Sequence, residues 1–148
     1  MQSIPPLSFF TKSFEETQEV GKEISKLLKP KDVLCLTGDL GAGKTTFVKG
    51  IAQMLTGIDP EEVTSPTFTY LNIYLGKQNL YHFDLYRLPS SKDFLESGFH
   101  EFLNQNAICC VEWPDKIPSQ ILFQKVAVHI DYLSSEERKI TFWRPHDL

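Results

Sequence analysis

The chain has 148 residues, enough for one domain with one substantial core. Apolar residues make up 41% and charged residues 23%, the balance of a soluble globular protein, and no apolar run approaches the roughly 18 residues of a membrane-spanning helix. A net charge of -4 argues against tight binding of a nucleic-acid backbone by this chain, because such binding is driven by Lys and Arg neutralising phosphates.

The N-terminal run MQSIPPLSFFTK lacks a basic segment and a true apolar segment, so no signal peptide is expected and the chain reads as cytoplasmic. Residues 13–28 predict a helix. Ser13 can cap it, Glu16 completes a capping box, and Val20, Ile24, Leu27 and Leu28 form an apolar stripe. After KPKD, the short apolar run VLCLT at 33–37 predicts a strand covered on both faces. The glycine-rich stretch GDLGAGKTT follows at once. TTFVKGIAQML then reads as a second helix, with Gly57 as its stop.

Residues 57–66 read as a loop. TFTYLNIYL and NLYHFDLY, rich in β-branched and aromatic residues, predict two strands joined by a hairpin turn at GKQ. The second of these alternates, as a half-exposed strand would. Residues 91–104 predict helix in two pieces around Gly98, and AICCVEW at 107–113 predicts a second buried strand. ILFQKVAVHIDY and KITFW predict two more strands, with LSSEER as the turn between them. This order implies a single α/β domain over residues 1–148, with a mixed sheet, antiparallel additions and flanking helices. Cys35, Cys109 and Cys110 all fall in apolar runs, so they are expected to be reduced core thiols without zinc spacing or a disulfide framework.

The spacing Gly38-x-x-x-x-Gly43-Lys44-Thr45 is that of a phosphate-binding loop. Glycines permit backbone torsions that turn successive N–H groups around an anion, and the helix that opens there adds free N–H groups and a positive dipole end. Lys44 would reach the β- and γ-phosphates, and the Thr45 hydroxyl would bind Mg2+. A carboxylate is then needed at the end of a neighbouring strand. Glu112 ends a buried run and is the expected magnesium residue. Asp84 ends LYHFD and would stand behind the metal ligands or orient the attacking water. In VTSPTF, Thr67 is the candidate for sensing the γ-phosphate. Arg87 and Arg138 could touch phosphate or nucleotide but read first as surface salt-bridge residues, His82 reads as structural, and Trp113 as either a packing residue or a partner contact.

No tetrad that would read guanine is found, which favours ATP over GTP. No arginine-rich lid and no clear arginine finger are visible, so hydrolysis is expected to be slow until a partner completes the site. Three further readings stay open: a small-molecule kinase, a scaffold that binds ATP without using it, and a direct tRNA binder.

In order and spacing, GDLGAGKTTF, VTSPTFTY, YHFDLYRL and VEWP resemble the TsaE (YjeE) family, and the resemblance covers nearly the whole chain. It implies a phosphate-loop ATPase needed to make N6-threonylcarbamoyladenosine at position 37 of tRNA. Its partners would be TsaD and TsaB, which it binds and whose transfer complex its ATP cycle resets; tRNA would be met through that complex. By motif, Leu40, Gly41, Ala42, Gly43, Lys44, Thr45 and Thr46 would cradle ATP, with Thr45 and Glu112 on magnesium. Lys44, Thr67, Asp84 and Glu112 would be the catalytic and switch residues. Phe14, Asp115 and Arg138 would be further nucleotide contacts.

Overall fold

Seven strands and three α-helices are found among residues 6–39 and 43–144, which the computed structural model describes. The strands are β1 (Leu7–Thr11), β2 (Val33–Thr37), β3 (Leu71–Tyr74), β4 (Leu80–Asp84), β5 (Ile108–Glu112), β6 (Lys125–Tyr132) and β7 (Arg138–Trp143). The helices are α1 (Phe14–Ser25), α2 (Lys44–Thr56) and α3 (Ser91–Glu96). All seven strands join one sheet in the order β1-β7-β6-β2-β5-β4-β3. β6, β2, β5 and β4 form a parallel centre. β7 and β1 extend one side and β3 the other, each antiparallel to its neighbour. The mixed sheet with antiparallel additions is therefore as expected from the sequence.

The two-residue period of the strands sorts the core into two layers. Leu34, Leu36, Leu80, Ile108, Cys110 and Val128 lie on one face, under Ile24 of α1 and Phe47, Val48 and Ile51 of α2. Val33, Cys35, Phe83, Cys109 and Val111 lie on the other, under Phe94 of α3 and Leu103 of the 3-10 turn Phe99–Asn104. Cys35, Cys109 and Cys110 are free and buried, as the sequence implies. α1 and α2 cross at two glycines. A Cβ on Gly21 would strike the Phe47 carbonyl, and one on Gly50 the Gln18 carbonyl.

Local signals act as read at several points. The Ser13 hydroxyl accepts from the Glu16 N–H at 3.1 Å, and Gly57 ends α2 in the left-handed region with φ 80°. Gly98 separates α3 from the following 3-10 turn. The capping box is displaced by one residue, because Glu16 Oε1 accepts from the Lys12 N–H at 2.7 Å. α1 stops at Ser25, not at residue 28, since the Lys26 N–H turns back to Glu23 and Ile24 and tightens the last turn.

Other expectations are corrected. β4 is not half-exposed: all five residues are buried, because β5 and β3 flank it and helical segments cover both faces. Residues 67–70 form a turn in place of the start of a strand. The Tyr70 N–H donates to Pro66 O, and Tyr70 takes φ 67°. Residues 119–121 are a 3-10 turn, so β6 begins only at Lys125. β1 has no counterpart in the sequence reading; it adds to the outer edge of β7 and packs Phe9 on the core. The end of β7 is tied to the start of β2 by a two-pronged pair. Arg144 Nη1 and Nη2 donate to Asp32 Oδ1 and Oδ2 at 3.1 and 2.9 Å. Among the described residues no helix is long and apolar enough to cross a membrane.

Candidate functional site

The parallel centre of the sheet ends β2, β5 and β4 on the same side, and the N-terminus of α2 opens there. β2 runs into Gly38, and α2 starts at Lys44. Leu40, Gly41 and Ala42 lie outside the described residues. Gly43 stands at the helix start with φ 99°, a backbone conformation that suits a residue without a Cβ. No side chain caps this end, so its first N–H groups can serve an anion.

Lys44 is only 6% exposed. Its Nζ donates to Gly38 O at 2.9 Å and sits 4.4 Å from the centroid of the Trp113 ring. Trp113 leaves β5 in the left-handed region, φ 58°, and its ring also meets that of Tyr86. Packing within the site is thus one of the two roles left open for this residue.

Asp84 and Glu112 are the last residues of β4 and β5 and are direct register partners. Both are buried side chains at the edge of an apolar sheet, where a charge needs partners. Asp84 has two: Oδ2 accepts from the Ser65 hydroxyl and Oδ1 from the Tyr86 N–H, each at 3.1 Å. The Thr67 hydroxyl reaches Ser65 Oγ at 3.5 Å, so the loop before β3 is linked to Asp84 through Ser65. Glu112 Oε2 pairs with His82 Nε2 at 2.6 Å, and His82 is fully buried two residues before Asp84 on the same face of β4.

These groups surround one open cavity of ≈ 450 Å³. Its walls include Phe14, Gly43, Lys44, Thr45, Thr46, Thr67, Asp84 and Glu112, with Ser65, Tyr86, Arg87 and Trp113. The structure thus brings together every described catalytic and loop residue expected from the sequence, and Phe14 with them. Asp115 is exposed and lines an adjoining recess of ≈ 210 Å³ beside Gly38, Lys44 and Trp113.

Arg138 is buried rather than on the surface, and its Nε stands 3.5 Å from where a Cβ on Gly43 would be. It is 2% exposed, donates to the carbonyls of Ser134, Ser135 and Glu137, and lies over the rings of Tyr132 and Phe14. The reason is its place at the start of β7, where the turn carbonyls wrap the guanidinium. Arg87 is exposed, as expected, and lies 5.0 Å from the Phe68 ring centroid.

The Thr45 hydroxyl and the carboxylates of Glu112 and Asp84 are hard oxygen donors on one cavity, suited to a small divalent cation. No three His, Cys, Asp or Glu side chains among the described residues are grouped to hold a metal by themselves. A cation here would share its shell with a hydroxyl, water and a bound anion. The roles of Ser65 and of the His82–Glu112 pair were not legible in the chain, because each acts through a contact between segments distant in sequence, 19 and 30 residues apart.

The description "Threonylcarbamoyl adenosine biosynthesis protein TsaE" belongs to the family that matches residues 11–140. Proteins named tRNA threonylcarbamoyladenosine biosynthesis protein TsaE are similar over most of their length. The one from Treponema pallidum is 40% identical over 131 residues, 88% of this chain and 96% of the relative. The one from Bacillus subtilis is 42% identical over 137 residues, 92% and 84% of the two chains. The crystal structure of Bacillus subtilis YdiB superimposes with a TM-score of 0.72 at 34% identity, covering 97% of this chain and 88% of that one. With a family match across both the phosphate loop and the paired carboxylates, the chain belongs to the TsaE family.

Proposed function

We propose that this chain is a magnesium-dependent ATPase in the biosynthesis of N6-threonylcarbamoyladenosine at position 37 of tRNA. In this reading its ATP cycle drives or resets a TsaD–TsaB-like transfer complex, and it meets tRNA only through that complex. The role in tRNA modification follows the names of its relatives. The observation that carries the ATPase reading is the convergence of Lys44, Thr45, Asp84 and Glu112 on one cavity at the opening of α2.

The residues fit Mg-ATP. The start of α2 offers backbone N–H groups and Lys44 a cation to the phosphates, while Thr45 and Glu112 offer the hydroxyl and carboxylate oxygens that magnesium prefers. Magnesium, when bound, neutralises charge on the β- and γ-phosphate oxygens. Asp84, held by Ser65 and the Tyr86 N–H, is placed to orient the attacking water or to support the metal's water shell. Thr67 is joined to Asp84 through Ser65, so movement of the loop on the γ-phosphate would be felt by that carboxylate. Phe14 lines the cavity, where a base or ribose can rest, and the remaining nucleotide contacts of this reading are Asp115, on the adjoining recess, and Arg138, whose Nε stands 3.5 Å from where a Cβ on Gly43 would be.

The test is Mg-ATP hydrolysis by the chain alone and with purified TsaD–TsaB. Strong stimulation by the pair that disappears in Lys44→Ala supports the proposal. ATP binding without stimulated hydrolysis would replace it with a scaffold that uses ATP only to assemble.

A further inference from the structure

We infer that His82 is a positioning residue: it holds one oxygen of the Glu112 carboxylate so that the other is presented to the cavity. The inference rests on the Mg-ATP reading of the site. Neighbouring positions on this face of the sheet are Leu80, Ile108 and Cys110, all in the apolar core under α2. A fully buried imidazole among them is costly unless it is hydrogen-bonded. Its one side-chain bond among the described residues is the 2.6 Å contact with Glu112 Oε2, made diagonally across β4 and β5.

An ionised carboxylate can only accept, so Nε2–H donates. Nδ1 is buried and has no partner among the described residues. The neutral Nε2–H tautomer leaves only a lone pair there, whereas any other form would bury an unpaired N–H donor, which folded proteins tolerate less. The ring is therefore locked in one tautomer and one orientation, with its donor spent on Glu112. Asp84 is held separately, by Ser65 and the Tyr86 N–H, so the two carboxylates are oriented by independent partners. A merely structural histidine would fill space. This one also decides which oxygen of Glu112 is available.

The measurement is binding of a non-hydrolysable ATP analogue by calorimetry, titrated with magnesium, for the unsubstituted chain, His82→Leu and His82→Gln. In His82→Leu the magnesium concentration for half-saturation should rise by about 10- to 100-fold, the usual cost of losing a partner behind a metal ligand. Analogue binding without magnesium should change little. His82→Gln, whose amide can donate from a similar reach, should recover most of the loss.

A second measurement needs no variant. Nitrogen-15 NMR of the unsubstituted chain should show a slowly exchanging Nε2–H and an unprotonated Nδ1 for His82. Unchanged magnesium dependence in His82→Leu, or an Nδ1–H tautomer, would overturn the inference and leave the ATPase reading intact. An unsubstituted chain that binds no magnesium-nucleotide complex would overturn both.

Discussion

Lys44 sits between two partners of different kind, the Gly38 carbonyl and the face of the Trp113 ring. An anion held by its ammonium must compete with both. On the proposed reading Trp113 would report on phosphate binding, and the chain has only one other tryptophan, Trp143, at the far end of β7. Titration with Mg-ATP should change tryptophan emission in the unsubstituted chain and in Trp143→Phe, but not in Trp113→Phe. Charge-assisted hydrogen bonds are worth about 1.5–3 kcal/mol, so Lys44→Ala should weaken the apparent affinity by roughly 10- to 100-fold. Equal affinity in Lys44→Ala would contradict the role given to this side chain.

Helix α2 is held against α1 by contacts of backbone on backbone. At Gly50 the obstructing atom is the Gln18 carbonyl, which cannot swing aside as a side-chain tip would. Alanine is the better helix former by about 1 kcal/mol, yet overpacking costs about 1–3 kcal/mol, so the clash decides the sign. Gly50→Ala should lower the urea midpoint with an unchanged slope. Because α2 carries Lys44 and Thr45 at its first turn, parting the helices should also weaken nucleotide binding. A midpoint at or above that of the unsubstituted chain would show that the crossing is looser than the structure indicates.

Across the whole molecule, the three thiols report how dry the sheet is on both faces. Burial pushes Cys35 up to about 11 and Cys109 to about 12, and raises Cys110 well above 9.0 with the Glu112 charge adding to the effect. Folded pKa values above the unfolded value mean that the unfolded chain loses its protons first. The contribution is thus fully present below 9.0 and is lost as pH rises toward 11 and 12. Each thiol then removes up to about 1.4 kcal/mol per pH unit above that point. Unfolding free energy measured from neutral pH to about 10.5 should fall more steeply for the unsubstituted chain than for a variant with Cys35 and Cys109 replaced by Ala. Parallel curves would place the thiols in contact with water.

Features that depend on neighbours along the chain can be read from the amino-acid order. The opening of α2 at Lys44 directly after Gly43, the bounding of helices by Ser13 and Gly57, and β2 and β5 from uninterrupted apolar runs were all legible there. Each of these is a property of a few consecutive residues: a cap, a torsion, a period. The tertiary structure alone decided that β4 is buried, that β1 closes one side of the sheet and that Arg138 is enclosed by turn carbonyls. It also decided that His82 meets Glu112 across 30 residues of chain. The alternation in NLYHFDLY looks half-exposed because His82 and Asp84 are polar, but their polarity is met by Glu112, Ser65 and the Tyr86 N–H rather than by water. Strand order and cross-strand partners depend on the pairing of distant segments, and no local pattern of polarity encodes that pairing.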